Sequence, residues 1–197
     1  MNIAGAILCG GKNKRMGGRN KAFIKLKGIF LIQRILNVFR EIFDEIILVT
    51  NSPNEYTAYN NSCRIVTDVI KNIGPLGGIH SGLYHSSKRG VFFIACDMPF
   101  LHNDIIKEQI NQFNSLNCEA FIPRIDNFLE PLHAIYAKAL ADKINSYARL
   151  NTDYSVKKFL EGVNHTFFEL KNNDFFNNIF RNLNTPQDLG EAKKRCE

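Results

Sequence analysis

Hydrophobic positions along the chain follow two alternating rhythms. Ile3–Cys9 is a short unbroken apolar run of strand length, ending at Gly10-Gly11. Ile32, Ile35, Leu36, Phe39, Ile42 and Phe43 then recur at helical spacing. A strand is predicted at 45–50 (EIILVT), stopped by Asn51-Ser52-Pro53, and a short one at 64–67. Residues 79–85 read as helix. Residues 91–96 (VFFIAC) form a continuous apolar run, as expected of a central strand covered on both faces. Asn103 or Asp104 is predicted to cap a helix whose inner face is Ile106, Ile110 and Phe113. Strands at 119–122 and 133–136, helices at 137–148 and 156–160, and a last helix opened by Pro186 complete the reading.

Strands alternating with helices predict an α/β fold: one Rossmann-like domain over residues 1–197, with a mostly parallel sheet and helices on both faces. In such folds ligands bind at the carboxyl ends of the strands. Gly10-Gly11, Asn51, Asp68 and Asp97 each follow a predicted strand.

Charge narrows the ligand. The net charge is +6, yet no Asp or Glu precedes Glu41, while the first forty residues hold nine Lys or Arg. The remainder, with 16 basic and 19 acidic residues, is slightly acidic. A positive cluster confined to one glycine-rich place suits a compact polyanion such as a triphosphate better than nucleic acid. No apolar run approaches the roughly 20 residues of a membrane helix. Five cysteines without C-x-x-C spacing predict free thiols in a cytoplasmic protein.

The chemistry concentrates in a few segments. Leu8-Cys9-Gly10-Gly11 leads through Lys12, Lys14, Arg15 and Arg19 to Lys21. Adjacent glycines let backbone N–H groups face an anion, and the cations supply further donors. Asp97, in Asp97-Met98-Pro99, has the placement of a Mg²⁺ carboxylate. Asp68 is a pure acceptor and matches the paired N1–H and N2–H donors of guanine. Gly74-Pro75-Leu76-Gly77-Gly78 is predicted as a loop on which base or ribose could rest. For His133, in Glu130-Pro131-Leu132-His133, a core position and a ligand contact both stay open.

Together these segments resemble the nucleotidyltransferase superfamily and, within it, the molybdenum cofactor guanylyltransferases. The shared pattern is LxGGxxxRMG…K, GPLxGI, DxP after a strand, and Asn182-Leu183-Asn184-Thr185-Pro186-Gln187-Asp188-Leu189 near the C-terminus. The resemblance implies the nucleotide-diphospho-sugar transferase type of fold. Its N-terminal half would bind nucleotide and its C-terminal half the acceptor. It implies GMP transfer from GTP to the terminal phosphate of molybdopterin, with Mg²⁺ as cofactor and no nucleic-acid or membrane partner. Brief contacts with proteins that deliver the cofactor or mature molybdoenzymes are implied too.

By the same resemblance, GTP is held by Leu8, Cys9, Gly10, Gly11, Arg15, Lys21, Asn51, Asp68, Gly77 and Asp97. Catalysis falls to Arg15, Lys21 and Asp97, the metal to Asp97, and the acceptor to Asn182 and Asn184. Cys9 stands where the family usually has Ala, and Asn20 where Asp is common. Two other readings compete: a sibling transferase using CTP or a sugar phosphate, and a basic nucleic-acid-binding module.

Overall fold

The first strand, β1 (Ile3–Leu8), is buried along its whole length. Its side chains split between two layers, as pleating demands. Ile3 and Ile7 pack with α1 (Leu31–Ile42) and α3 (Asn103–Ser115). Ala4, Ala6 and Leu8 pack with α2 (Pro75–His85), α4 (Leu140–Leu150) and α5 (Val156–Leu160). The apolar run β6 (Gly90–Ala95) divides the same way, Phe92 and Ile94 to one layer and Val91 and Phe93 to the other. This is a computed structural model, and it describes residues 2–10 and 20–195.

The strand order is β10-β7-β9-β6-β1-β4-β5, where β4 is Ile46–Val49, β5 Arg64–Val66, β7 Ala120–Ile125, β9 His133–Ala137 and β10 His165–Leu170. All the neighbours pair in parallel except β9, which runs antiparallel to both β6 and β7. β6 and β7 therefore point the same way, and the carboxyl ends of six strands lie along one edge. A short β8 (Phe128–Leu129) hairpins onto β7. A separate two-stranded hairpin joins β2 (Lys25–Leu26) to β3 (Ile29–Phe30). Two short helices follow β10: α6 (Asp174–Ile179) and α7 (Pro186–Arg195).

Several boundaries differ from the sequence reading. The loop expected at 74–78 is instead, from Pro75 onward, the first turn of α2. Gly74 precedes it with φ +59°, Pro75 opens it, and Gly77 lies within the helix. A Cβ on Gly77 would sit 2.7 Å from the Ile70 carbonyl oxygen, so the bare backbone is what lets α2 press against the segment after Asp68. At α3 the residue before the first turn is His102, with no side-chain cap bond. Asp104 instead sits inside the first turn, where a carboxylate favours the positive end of the helix dipole. β7 continues past residue 122 through Pro123, and β9 takes Ala137 from the expected helix.

Candidate active site

Lys21 opens a 3₁₀ turn, Lys21–Phe23, that follows the basic loop. Asn20 caps this turn, its Oδ1 accepting from the Ala22 N–H at 3.1 Å. The Asn20 amide also donates to Glu55 Oε2 at 2.9 Å and to the Tyr56 hydroxyl at 2.8 Å. Tyr56 is fully buried and packs on Phe23, with ring centres 5.0 Å apart. Lys21 thus leaves a turn anchored in the core, and its side chain starts from a defined place.

Its ammonium reaches Asp97. Nζ lies 2.8 Å from Asp97 Oδ2, and both side chains keep less than a fifth of their exposure. The same Nζ donates to Asn184 Oδ1. Asp97 stands in the turn after β6, where the Met98 N–H donates to the Ala95 carbonyl at 3.1 Å. Leu183 returns to it, its N–H donating to the Asp97 carbonyl at 2.8 Å. Asn184 and Thr185 donate backbone N–H groups to Asp188 Oδ2, and the Asp188 N–H donates back to Thr185 Oγ1. This is a capping box in miniature, and it fixes the segment that carries Asn184. Three residues far apart in sequence thus meet at one cation.

A second pair lies further along the edge. Asn51 follows β4, and Asp68 follows β5. The Asn51 amide donates to Asp68 Oδ2 at 2.6 Å, and the Asp68 N–H donates back to Asn51 Oδ1 at 3.3 Å. The next N–H, of Val69, is bound by Ser81 Oγ of α2 at 2.8 Å. The carboxylate is therefore oriented by a neutral amide, with acceptor sites left for a ligand.

Of the remaining expected residues, Leu8 and Cys9 are buried at the end of β1, and Gly10 is exposed just beyond. Burial, and then the neighbouring Cys96, push the Cys9 thiol well above its ordinary pKa, which leaves it a neutral core group. Gly77 is buried in α2, and Asn182 is half-buried two residues before Asn184. Gly11 and Arg15 lie outside the described residues. His133 resolves as a core histidine. It is fully buried, edge-on to Phe92 and Phe180 with ring centres 4.9 Å away, and burial pulls it down to about 4.

Sequence reasoning missed Glu130 as a buried acid. It lies in the turn before β9 and is 6% exposed, with its Oε1 accepting from the Leu132 N–H at 3.3 Å. Burial pushes it up to about 7, and the Asp97 charge adds to the rise. Nothing in its local sequence signals this. The Thr185-to-Asp188 spacing, by contrast, was a readable cap signal.

Among the described residues, no group of three or more His, Cys, Asp or Glu side chains could hold a metal ion by itself. Asp97 alone still fits a Mg²⁺ that arrives with a triphosphate, since such ions use one or two carboxylates and complete their shell with phosphate and water. Lys21 occupies one side of Oδ2, and a carboxylate has further lone pairs to give.

The model of the MobA-like NTP transferase domain matches residues 5–167. The chain belongs to this family. It is 32% identical to a probable molybdenum cofactor guanylyltransferase of Natranaerobius thermophilus, over 98% of this chain and 96% of that protein. Among solved structures, molybdopterin-guanine dinucleotide biosynthesis protein A of Archaeoglobus fulgidus superposes with a TM-score of 0.83 and 28% identity, covering 98% of each chain. A Mycobacterium tuberculosis protein crystallised as a complex with manganese shares the fold at a TM-score of 0.70 and 17% identity, over 98% of this chain and 99% of that one. As a MobA-like transferase, the protein is a nucleotidyltransferase, and the expected α/β architecture is the one observed. No helix among the described residues is long and apolar enough to cross a membrane.

Proposed function

We propose that this MobA-like transferase moves GMP from GTP to the terminal phosphate of molybdopterin, releasing pyrophosphate and forming the guanine dinucleotide of the molybdenum cofactor. The observation that carries this reading is the meeting of Lys21, Asp97 and Asn184 at the carboxyl edge, with the Asn51–Asp68 pair further along the same edge. The full-length likeness to a probable molybdenum cofactor guanylyltransferase supports the choice of acceptor.

In the reaction, an oxygen of the acceptor phosphate attacks the α-phosphorus of GTP. A new P–O bond forms as the bond to the departing pyrophosphate breaks. The nucleophile is already an anion, so no strong base is required. The barrier lies in bringing two anions together, and preorganised positive charge lowers it. Lys21 supplies that charge, held in place by the Asn20 turn and by Asn184. Asp97 is the carboxylate for Mg²⁺, and the ion, when bound, neutralises charge on the phosphates. Asp68, oriented by Asn51, accepts from the guanine edge. Arg15 and the loop from Leu8 to Gly11 complete the phosphate contacts in this reading, with Gly77 backing the nucleotide and Asn182 facing the acceptor. The N-terminal half then serves the nucleotide and the C-terminal half the acceptor. Free thiols at Cys9, Cys63, Cys96 and Cys118 support a cytoplasmic setting.

Calorimetric titration with GTP, ATP and CTP, each with and without Mg²⁺, tests the nucleotide side. GTP should bind most tightly and gain from Mg²⁺. Preference for CTP would reassign the chain to a cytidylyltransferase. Formation of the guanine dinucleotide from purified molybdopterin and GTP tests the acceptor side.

A further inference from the structure

An open cavity of about 450 Å³ lies at the carboxyl ends of β7 and β10, away from the Lys21–Asp97 contact. Its size falls in the range of small-molecule sites. Ile125, Asp126, Phe128, Asn172, Asn177 and Phe180 line it. Asp126 sits at the tip of the β7–β8 hairpin with φ +51°, in the left-handed region that few non-glycine residues occupy. The Asn172 amide donates to Asp126 Oδ2 at 2.7 Å, and Asn177 donates to Asn172 Oδ1 at 3.0 Å. Phe128 stands beside this chain of amides with 56% of its surface exposed. An exposed phenyl ring next to an oriented carboxylate has the makings of a stacking platform for a flat heterocycle.

The arrangement repeats that of Asn51 and Asp68. In both places a carboxylate just beyond a strand end is held by an asparagine amide, at 2.6 Å in one and 2.7 Å in the other. A carboxylate presented in this way suits a ring with two adjacent N–H donors on one edge. Guanine has that edge. A pterin has it too, because both carry an amino group next to a ring N–H.

The distance to the reaction centre also fits. β6 and β7 run in the same direction with β9 between them, so Asp97 and Asp126 leave the same edge two strand intervals apart. At roughly 4.8 Å per interval the two positions are about 10 Å from each other. Phe180 in the cavity wall is three residues before Leu183, which bonds to the Asp97 carbonyl. The phosphate of molybdopterin is separated from its bicyclic pterin by one fused ring and a methylene. A spacing of this order lets the phosphate lie at Lys21 while the pterin lies in the cavity.

We propose that this cavity is the pterin subsite: Asp126, oriented by Asn172, accepts from the amino and ring N–H groups, and Phe128 stacks on the ring. The assignment rests on the acceptor reading given above. It makes the sheet edge bilateral, with guanine read at one end, pterin at the other and phosphoryl chemistry between.

Two measurements test it. Asp126→Asn removes the charge and keeps a residue that tolerates the left-handed backbone, and Phe128→Ala removes the platform. Each should raise the KM for molybdopterin roughly tenfold or more. The Kd for GTP should stay at the wild-type value. Independently of turnover, pterin itself added to the ¹⁵N-labelled wild-type protein should shift the amide signals of Asp126, Phe128 and Asn172, and these shifts should vanish in both variants. An acceptor KM within twofold of wild type in both folded variants, or pterin shifts absent from this cavity, would overturn the subsite. If the wild type bound pterin here yet made no guanine dinucleotide, the transfer reading would fall and the subsite would stand.

Discussion

At the β4–β5 end of the carboxyl edge, Asp68 is held by Asn51, and Ser81 of a long, well-packed helix fixes the next peptide. At the β7–β10 end, Asp126 is held by Asn172 and then Asn177, among exposed amides and an exposed phenyl ring. The carboxylate is oriented similarly, but the support differs. One end is braced by the core, through Gly77 pressed on the Ile70 carbonyl. The other stands on a hairpin tip and a six-residue helix. A braced end discriminates by rigid placement. An end built from surface amides can adjust to a larger ligand at the cost of ordering those side chains on binding.

The largest effect should come from the centre that both ends share. Asp97→Ala should abolish Mg²⁺-dependent pyrophosphate release while circular dichroism shows an unchanged fold. Lys21→Ala should lower kcat by roughly 10²–10³, the scale of one preorganised electrostatic donor. Near-normal turnover in either variant would leave the two ends with no common reaction to serve. Next comes the braced end itself. Asp68→Ala should weaken GTP by about 10- to 100-fold, with ATP binding unchanged, as expected for a lost hydrogen-bond pair to a charged group. An equal loss for both nucleotides would mean that Asp68 supports the loop and does not read the base.

Glu130 and His133 give a subtler contrast, since they sit between the two ends with opposite pH behaviour. Glu130's folded pKa is about 7, raised from 4.5, so its stabilising proton is fully present below 4.5 and lost as the pH rises through 7. His133's is about 4, lowered from 6.5, so its contribution is present above 6.5 and lost as the pH falls through 4. Between these limits the two slopes largely offset each other. Glu130→Gln removes one slope, so the variant's stability relative to wild type should rise by about 3 kcal/mol from pH 4.5 to pH 8. Urea unfolding at the two pH values measures this, and a constant difference would show that Glu130 does not carry its proton in the fold. The smallest effect should be Thr185→Ala, costing about 1 kcal/mol through the lost cap.

The same contrast explains what could be read from sequence. The strand-end positions of Asn51, Asp68 and Asp97 were legible because apolar runs announce strands, and parallel sheets place their ligands at strand ends. The glycine segment at 74–78 reads as a loop in sequence although α2 begins there, since glycine and proline signal turns whether or not a helix follows. β10 and α6 went unseen. β10 (HTFFEL) is mostly half-buried rather than continuously apolar, and α6 (DFFNNI) is short and polar at its ends. The cavity they border was therefore invisible too. It is made of asparagines and a hairpin, which carry no periodic signal. Asn172 and Asp126 meet only because β7 and β10 pair across 46 residues.

The contact between Lys21 and Asn184 spans 163 residues. During synthesis at roughly 5–20 residues per second, some 8–30 s pass between the two leaving the ribosome. Over that interval the nascent chain can build β1 and α1 but has no Asn184 to meet Lys21, and no Leu183 to bond the Asp97 turn. The reaction centre is thus among the last features to form, and catalysis becomes available only once every strand of the sheet has been made.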